Sequence, residues 1–100
     1  MGRNTNKNWK LFIIQGGFYF FGEEVDAPDG YIKAVNVSMF GGFAGGLGVF
    51  GVASGRQGAE VTLDRLGDDG TKSCVWPLSA VIGIVDSINM YEFRGTTIRG

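Results

Sequence analysis

Residues 34–58, AVNVSMFGGFAGGLGVFGVASGRQG, decide how the rest of the chain is read. No charged side chain occurs between Ala34 and Gly55, and glycines recur at 41, 42, 45, 46, 48, 51, 55 and 58. Large apolar residues lie among them: Met39, Phe40, Phe43, Leu47, Val49, Phe50 and Val52. Each glycine gives up more backbone freedom on folding than any other residue, so a run this dense is costly to order. Two readings follow: the backbone comes very close to a ligand, a neighbouring chain or a lipid, or the segment orders only on binding.

Outward from this stretch the pattern is that of strands and tight turns. Trp9–Gln15 and Phe18–Val25 are β-branched and aromatic runs separated by Gly16-Gly17, a two-residue connection suited to a primed hairpin turn. Ala27-Pro28-Asp29-Gly30 supplies the next turn. Tyr31–Ser38 then alternates, with Tyr31, Lys33, Val35 and Val37 on one face. In Ala59–Leu66, Val61 and Leu63 point inward while Glu60, Thr62 and Asp64 point outward. Gly67-Asp68-Asp69-Gly70 signals a hairpin into Thr71–Trp76, Pro77-Leu78-Ser79 a single turn, and Ala80–Val85 a closing strand. Met90–Phe93 is read as a last short strand, and no window sustains a helical period. The expectation is one all-β domain over residues 1–100, with 1–8 flexible. Its connectivity is that of a small SH3-like or Sm-like barrel with a long glycine-rich loop after the third strand.

Several strands are apolar on both faces: Leu11 and Ile13 oppose Phe12 and Ile14, and Phe18 and Phe20 oppose Tyr19 and Phe21. A small barrel has one inside, so the second set is expected to be buried against another copy of the chain. Coverage by the glycine-rich segment or by the chain's own tail is the alternative.

Composition excludes whole classes of chemistry. Formal net charge is −1, against general nucleic-acid binding, whose affinity comes from basic neutralisation of phosphates. There is no histidine and Cys74 is the single cysteine, which removes disulfide frameworks, cysteine–histidine zinc sites and histidine acid–base catalysis. Asp68-Asp69 is too little for a metal. No catalytic residue, metal or cofactor is therefore expected. Cys74 is read as a small buried hydrophobe and Trp76 as a core or interface anchor. A basic start (Arg3, Lys7, Lys10) before apolar Leu11–Gly22 imitates a secretory signal but has no small-residue cleavage site. A cytoplasmic location is expected.

Two motifs in the glycine-rich stretch are set aside. Gly46-Leu47-Gly48-Val49-Phe50-Gly51 matches G-x-G-x-x-G, but Val52-Ala53-Ser54-Gly55 is read as starting no helix, and no βαβ unit surrounds it. As a membrane span the uncharged run carries too many glycines, with polar Asn36 and Ser38 and no flanking basic cluster.

The remaining expectation is a small anionic ligand. Glycine amides form nests for phosphate oxygens, here at Gly45, Gly46 and Gly48, with Arg56 as the cation at the segment's end. Phe40, Phe43 and Phe50 are candidates to stack on a base, with Ser38 nearby. Arg94, Thr96, Thr97 and Arg99 of the RGTTIRG tail would add hydroxyl and guanidinium contacts.

The runs GGFYFFGEEV, GYIKAVNVSMFGGFAGGLG, GVASG, AEVTLDRL and WPLSAVIGIVDS resemble small proteins of tailed bacteriophages. In size, strand order and elaboration after the third strand, the chain is similar to oligomeric β-rich phage sponges. That resemblance implies a non-enzymatic homo-oligomer sequestering a cyclic nucleotide or related immune signal in the host cytoplasm. No sponge binding motif is carried over to particular residues. A structural or protein-interaction module, with the glycine-rich segment at a subunit or host-protein interface, is the alternative; a membrane-active segment is third and an enzyme last. On the ligand reading, Gly45→Val and Gly48→Val are expected to abolish binding, measured by calorimetry, while leaving the fold.

Overall fold

The computed structural model describes residues 8–66 and 73–99. Its strands are β1 (Trp9–Ile14), β2 (Phe18–Val25), β3 (Tyr31–Ala44), β4 (Glu60–Arg65), β5 (Cys74–Pro77), β6 (Val81–Asp86) and β7 (Thr96–Arg99). A short helix α1 (Val49–Ser54) precedes β4, and 3₁₀ turns cover Leu78–Ala80 and Met90–Glu92. The strands form one sheet in the order β6-β1-β2-β3-β4-β7, with β5 also paired to β3. The Gly67–Gly70 hairpin and residues 1–7 lie outside the described residues; Asn8, expected to be flexible, accepts a 2.8 Å hydrogen bond from the Glu24 N–H.

Strand β3 organises the sheet. One edge pairs with β2 along Lys33–Met39; the other takes β5 along Tyr31–Ala34 and β4 along Ser38–Ala44. The handover between β5 and β4 occurs at a bulge, where Asn36 and Val37 stand opposite Gly22 and Asn36 takes φ 53°. The extra residue reverses the alternation expected from the sequence: Val37 leaves the face of Val35 and joins Ala34 in one buried cluster. A second bulge at Gly41 keeps the strand paired with β4 to its end.

The long glycine-rich loop is therefore not present as such. Its first part is strand and its middle is α1, which buries Val49, Val52 and Ala53 at helical spacing. Gly55 ends the helix in the left-handed conformation, with the Arg56 N–H bonded to the Gly51 carbonyl at 2.8 Å and the Gly55 N–H to Val52 at 3.1 Å. The last strand also differs from expectation. Met90–Phe93 is not a strand but a 3₁₀ turn and the residue after it, whereas Thr96–Arg99 runs parallel to β4.

Both apolar faces of β1 are covered within the chain. Leu11 and Phe21 pack with α1, Val61 and Leu63 of β4, and Met90 of the tail. Phe12 and Ile14 pack with Ala34 and Val37, and Trp76 of β5 reaches across to Phe12 and Phe20 at 5.2 Å between ring centroids. The two-faced strands thus lose their force as an argument for self-association: the glycine-rich segment and the tail supply the second layer. Among the described residues no ladder joins β5 to β6, so the sheet is not closed into the expected barrel.

Two glycines mark where segments meet. A Cβ at Gly51 would stand 2.2 Å from the Gly46 carbonyl oxygen, and one at Gly95 would stand 2.1 Å from that of Ala59. Gly42 has open space around its Cβ position and an ordinary φ. Gly51→Ala and Gly95→Ala are expected to cost about 1–3 kcal/mol each through forced backbone shifts. Gly42→Ala is expected to be neutral or stabilising by about 0.4–1 kcal/mol. Urea unfolding measures all three, and equal stability of the Gly51→Ala and Gly42→Ala proteins would contradict the packing described.

Candidate functional site

The residues expected to bind a ligand do not form one cluster. Ser38 is fully buried, and its hydroxyl lies 2.8 Å from that of Tyr91. Tyr91 gives its single proton to the Asn36 carbonyl at 2.5 Å, so Ser38 is the donor in the Ser38–Tyr91 bond. This network joins the bulge of β3 to the 3₁₀ turn at Met90–Glu92 and leaves Ser38 no access to a ligand. Burial pushes the Tyr91 phenol above its ordinary pKa, against smaller opposing effects from the Ser38 hydrogen bond and the charge of Arg65.

Arg99 is committed as well. Its Nε and Nη2 donate to the two Asp64 carboxylate oxygens at 2.6 and 2.9 Å, in a two-pronged pair across the β4–β7 register. That hydrogen bond, with the Arg99 charge, holds the Asp64 carboxyl below the usual carboxylate range and raises the already high Arg99 pKa. Gly41 permits this arrangement, since a Cβ there would lie 2.5 Å from Arg99 Nη2 and 2.6 Å from Asp64 Oδ2.

In the expected glycine nest the Gly48 N–H is bonded to the Gly45 carbonyl at 3.3 Å, and chain contacts crowd Gly45 and Gly46. Gly45 has φ 110° and its Cβ position is 2.9 Å from the Ala59 Cα; Gly48 has φ 57°. Valine at either position is strained by the backbone, so those substitutions report on the fold and not on binding alone. The exposed Arg56 lies alongside Gly46, its Nε 3.2 Å from that glycine's Cβ position. Phe50 is exposed on α1, as is Leu47, a non-glycine residue with φ 69° just before the helix.

What the structure does assemble is a cleft of about 450 Å³ between the end of β3, the start of β4 and the approach to β7. Phe43, Arg94 and Thr97, all singled out in the sequence, line it with Glu60, Thr62 and Gly95. Its volume falls within the 300–1,000 Å³ range of small-molecule sites. Arg94 offers a guanidinium, Thr62 and Thr97 offer hydroxyls, Phe43 offers a ring face, and Glu60 adds an acceptor. Thr96, between Gly95 and Thr97, has a solvent-shielded hydroxyl with no hydrogen-bond partner among the described residues. A neighbouring apolar cleft of about 310 Å³ is lined by Phe18, Tyr19, Phe40 and Phe43, with Tyr19–Phe40 and Tyr19–Phe43 centroids 5.9 and 5.8 Å apart. Phe43 borders both.

Glu60 and Thr62 were legible as outward positions of a strand, but not as neighbours of Arg94, which requires the parallel β4–β7 pairing. Among the described residues no group of three or more His, Cys, Asp or Glu side chains is placed to hold a metal, and no helix is long and apolar enough to cross a membrane. Compared with family models, curated proteins and solved structures, the chain matches none of them.

Because the folded state holds the Tyr91 proton more tightly than the unfolded chain does, its contribution is fully present below the unfolded phenol pKa of about 10 and is lost as pH rises through the folded value. Tyr91→Phe is expected to cost about 1–2 kcal/mol at neutral pH. It is also expected to flatten the fall in melting temperature at alkaline pH relative to wild type. Thermal melts of the two proteins across that range check both; a Tyr91→Phe protein as stable as wild type would contradict the network.

Proposed function

We propose that this protein is a non-enzymatic, self-associating β module that binds a small anionic ligand of nucleotide class in the cleft at the β3–β4–β7 end. The observation that carries this reading is the convergence of Arg94, Thr62, Thr97 and the Phe43 ring on one cleft of about 450 Å³. Arg94 pairs with a phosphate, the threonine hydroxyls bond phosphate or ribose oxygens, and Phe43 stacks on the base. Glu60 limits the negative charge the cleft accepts and suits a ligand that also carries donors, such as the exocyclic amine of a base. Binding is stoichiometric, and no reaction follows.

The strand order β6-β1-β2-β3-β5, with a single 3₁₀ turn between β5 and β6, supports a small SH3-like arrangement elaborated by α1, β4 and β7. With the phage resemblance, this favours sequestration of a cyclic nucleotide or related immune signal in the host cytoplasm. The second reading, a protein-interaction module, is favoured by a different feature: Val75, Leu78, Ile82 and Ile84 are all exposed along β5, the 3₁₀ turn and β6.

Calorimetric titration with cyclic mononucleotides and dinucleotides tests the ligand reading. Arg94→Ala is expected to weaken binding about tenfold or more, as for loss of a charge-assisted hydrogen bond. Arg56→Ala, outside the cleft, is expected to change it little. Absence of binding by any nucleotide, or equal losses from the two substitutions, would refute the assignment.

A further inference from the structure

The free edge of β6 has the character of an interface. Among the described residues it ends the sheet and pairs with β1 alone, and it belongs to a stretch with no charged side chain from Ser73 to Val85. Edge strands are ordinarily blunted by lysine, inward charges or proline, because their unpaired N–H and C=O groups template pairing with another chain. Here Asp86, bonded to Lys10, is the first charge, at the far end of the strand. Ile82 is 67% exposed and Ile84 36%.

The sequence of the edge is its own mirror. Val81-Ile82-Gly83-Ile84-Val85 reads identically in both directions about Gly83. We infer that β6 pairs antiparallel with β6 of a second copy about a two-fold axis at Gly83, joining the two sheets into one. In that register Ile82 lies opposite Ile84 of the partner subunit, Val81 opposite Val85 of the partner subunit, and the two Gly83 residues face each other. Shifting the axis to Ile84 would instead set Ile82 against the Asp86 carboxylate, and shifting it to Val85 would do the same to Ile84. An axis moved the other way, to Ile82, would set Ile84 against Ala80 of the partner subunit, which belongs to the 3₁₀ turn and not to β6, so Gly83 is selected.

The backbone phase agrees. Ser87 donates to the Trp9 carbonyl at 3.0 Å, and the register continues through Val85–Leu11 and Gly83–Ile13. Alternation along an antiparallel ladder then turns the backbone groups of Val85 and Gly83 toward β1 and those of Ile84 toward the free edge. A bulge leaves Ile82 with no residue opposite it in β1. Gly83 thus sits at a close, non-hydrogen-bonded position of the new ladder, where Cα atoms approach to about 4.5 Å and a residue without Cβ fits best. Such a seam is short beside a standard interface of about 1,200–2,000 Å², so a dissociation constant of roughly micromolar order is expected.

This interface deepens the self-association named above, and its test is separate from ligand binding. Sedimentation equilibrium of the full chain is expected to give a monomer–dimer equilibrium. Ile82→Lys, at an exposed side chain, is expected to shift the dissociation constant at least tenfold toward monomer with an unchanged circular dichroism spectrum. Gly83→Cys in a Cys74→Ser background is expected to form a disulfide-linked dimer on mild oxidation, because facing Cα atoms about 4.5 Å apart lie within disulfide range. Val85→Cys in the same background, opposite Val81 of the partner subunit, is not. A strictly monomeric wild type, a ring larger than a dimer, a dimer indifferent to Ile82→Lys, or equal crosslinking at 83 and 85 would each overturn the proposal. Nucleotide binding that persists in a monomeric Ile82→Lys protein would leave the cleft assignment standing.

Discussion

The bend of β3 at Asn36 is the constraint on which the other elements depend. A 14-residue strand that stayed straight would offer its second edge to a single partner. The extra residue opposite Gly22 divides that edge, so that β5 pairs before the bulge and β4 after it. Asn36 tolerates the left-handed conformation because its short polar side chain makes that region less costly than for most residues. The Tyr91 hydroxyl then ties the carbonyl of Asn36 to the Ser38 hydroxyl. Through this tie the tail of the chain, far away in sequence, closes over the middle of the sheet and carries β7 alongside β4. Around the same point Trp9 stacks on Phe21 and Tyr91 meets both rings edge to face, with centroids 5.1 to 5.7 Å apart.

The glycine-rich stretch takes its composition from this crowding. At Gly41 an ion pair lies on the backbone, at Gly45 the chain passes Ala59, and at Gly51 a carbonyl presses on the helix. The composition led to an expectation of close approach to a ligand, a neighbouring chain or a lipid; at these positions what approaches is the chain itself. The cost of ordering so many glycines is offset by the layer that α1 places over Leu11 and Phe21.

The turns at Gly16-Gly17 and Ala27–Gly30, β1, β2, β4, the 3₁₀ turn after Pro77 and β6 were all legible, since each rests on local signals: alternation, paired glycines, a proline. The second half of β3 was not, because two adjacent glycines argue against a strand and only the pairing with β4 outweighs them. Helix α1 carried a readable sign in Val49, Val52 and Ala53 followed by Gly55, but six residues are too few to establish a period. Parallel β7 depends on a long-range pairing that no local pattern announces. For the same reason Arg94 and Thr97 could be named as candidates while Glu60 and Thr62 could not be placed beside them. Ser38 and Arg99 were misjudged because their partners, Tyr91 and Asp64, lie 53 and 35 residues away.

The central functional claim is the position of the ligand, and backbone amide shifts during a nucleotide titration locate it most directly. The account predicts perturbations concentrated at Gly42–Ala44, Glu60–Thr62 and Arg94–Thr97. Perturbations confined to Gly45–Gly48 and Arg56, or none at saturating nucleotide, would contradict it.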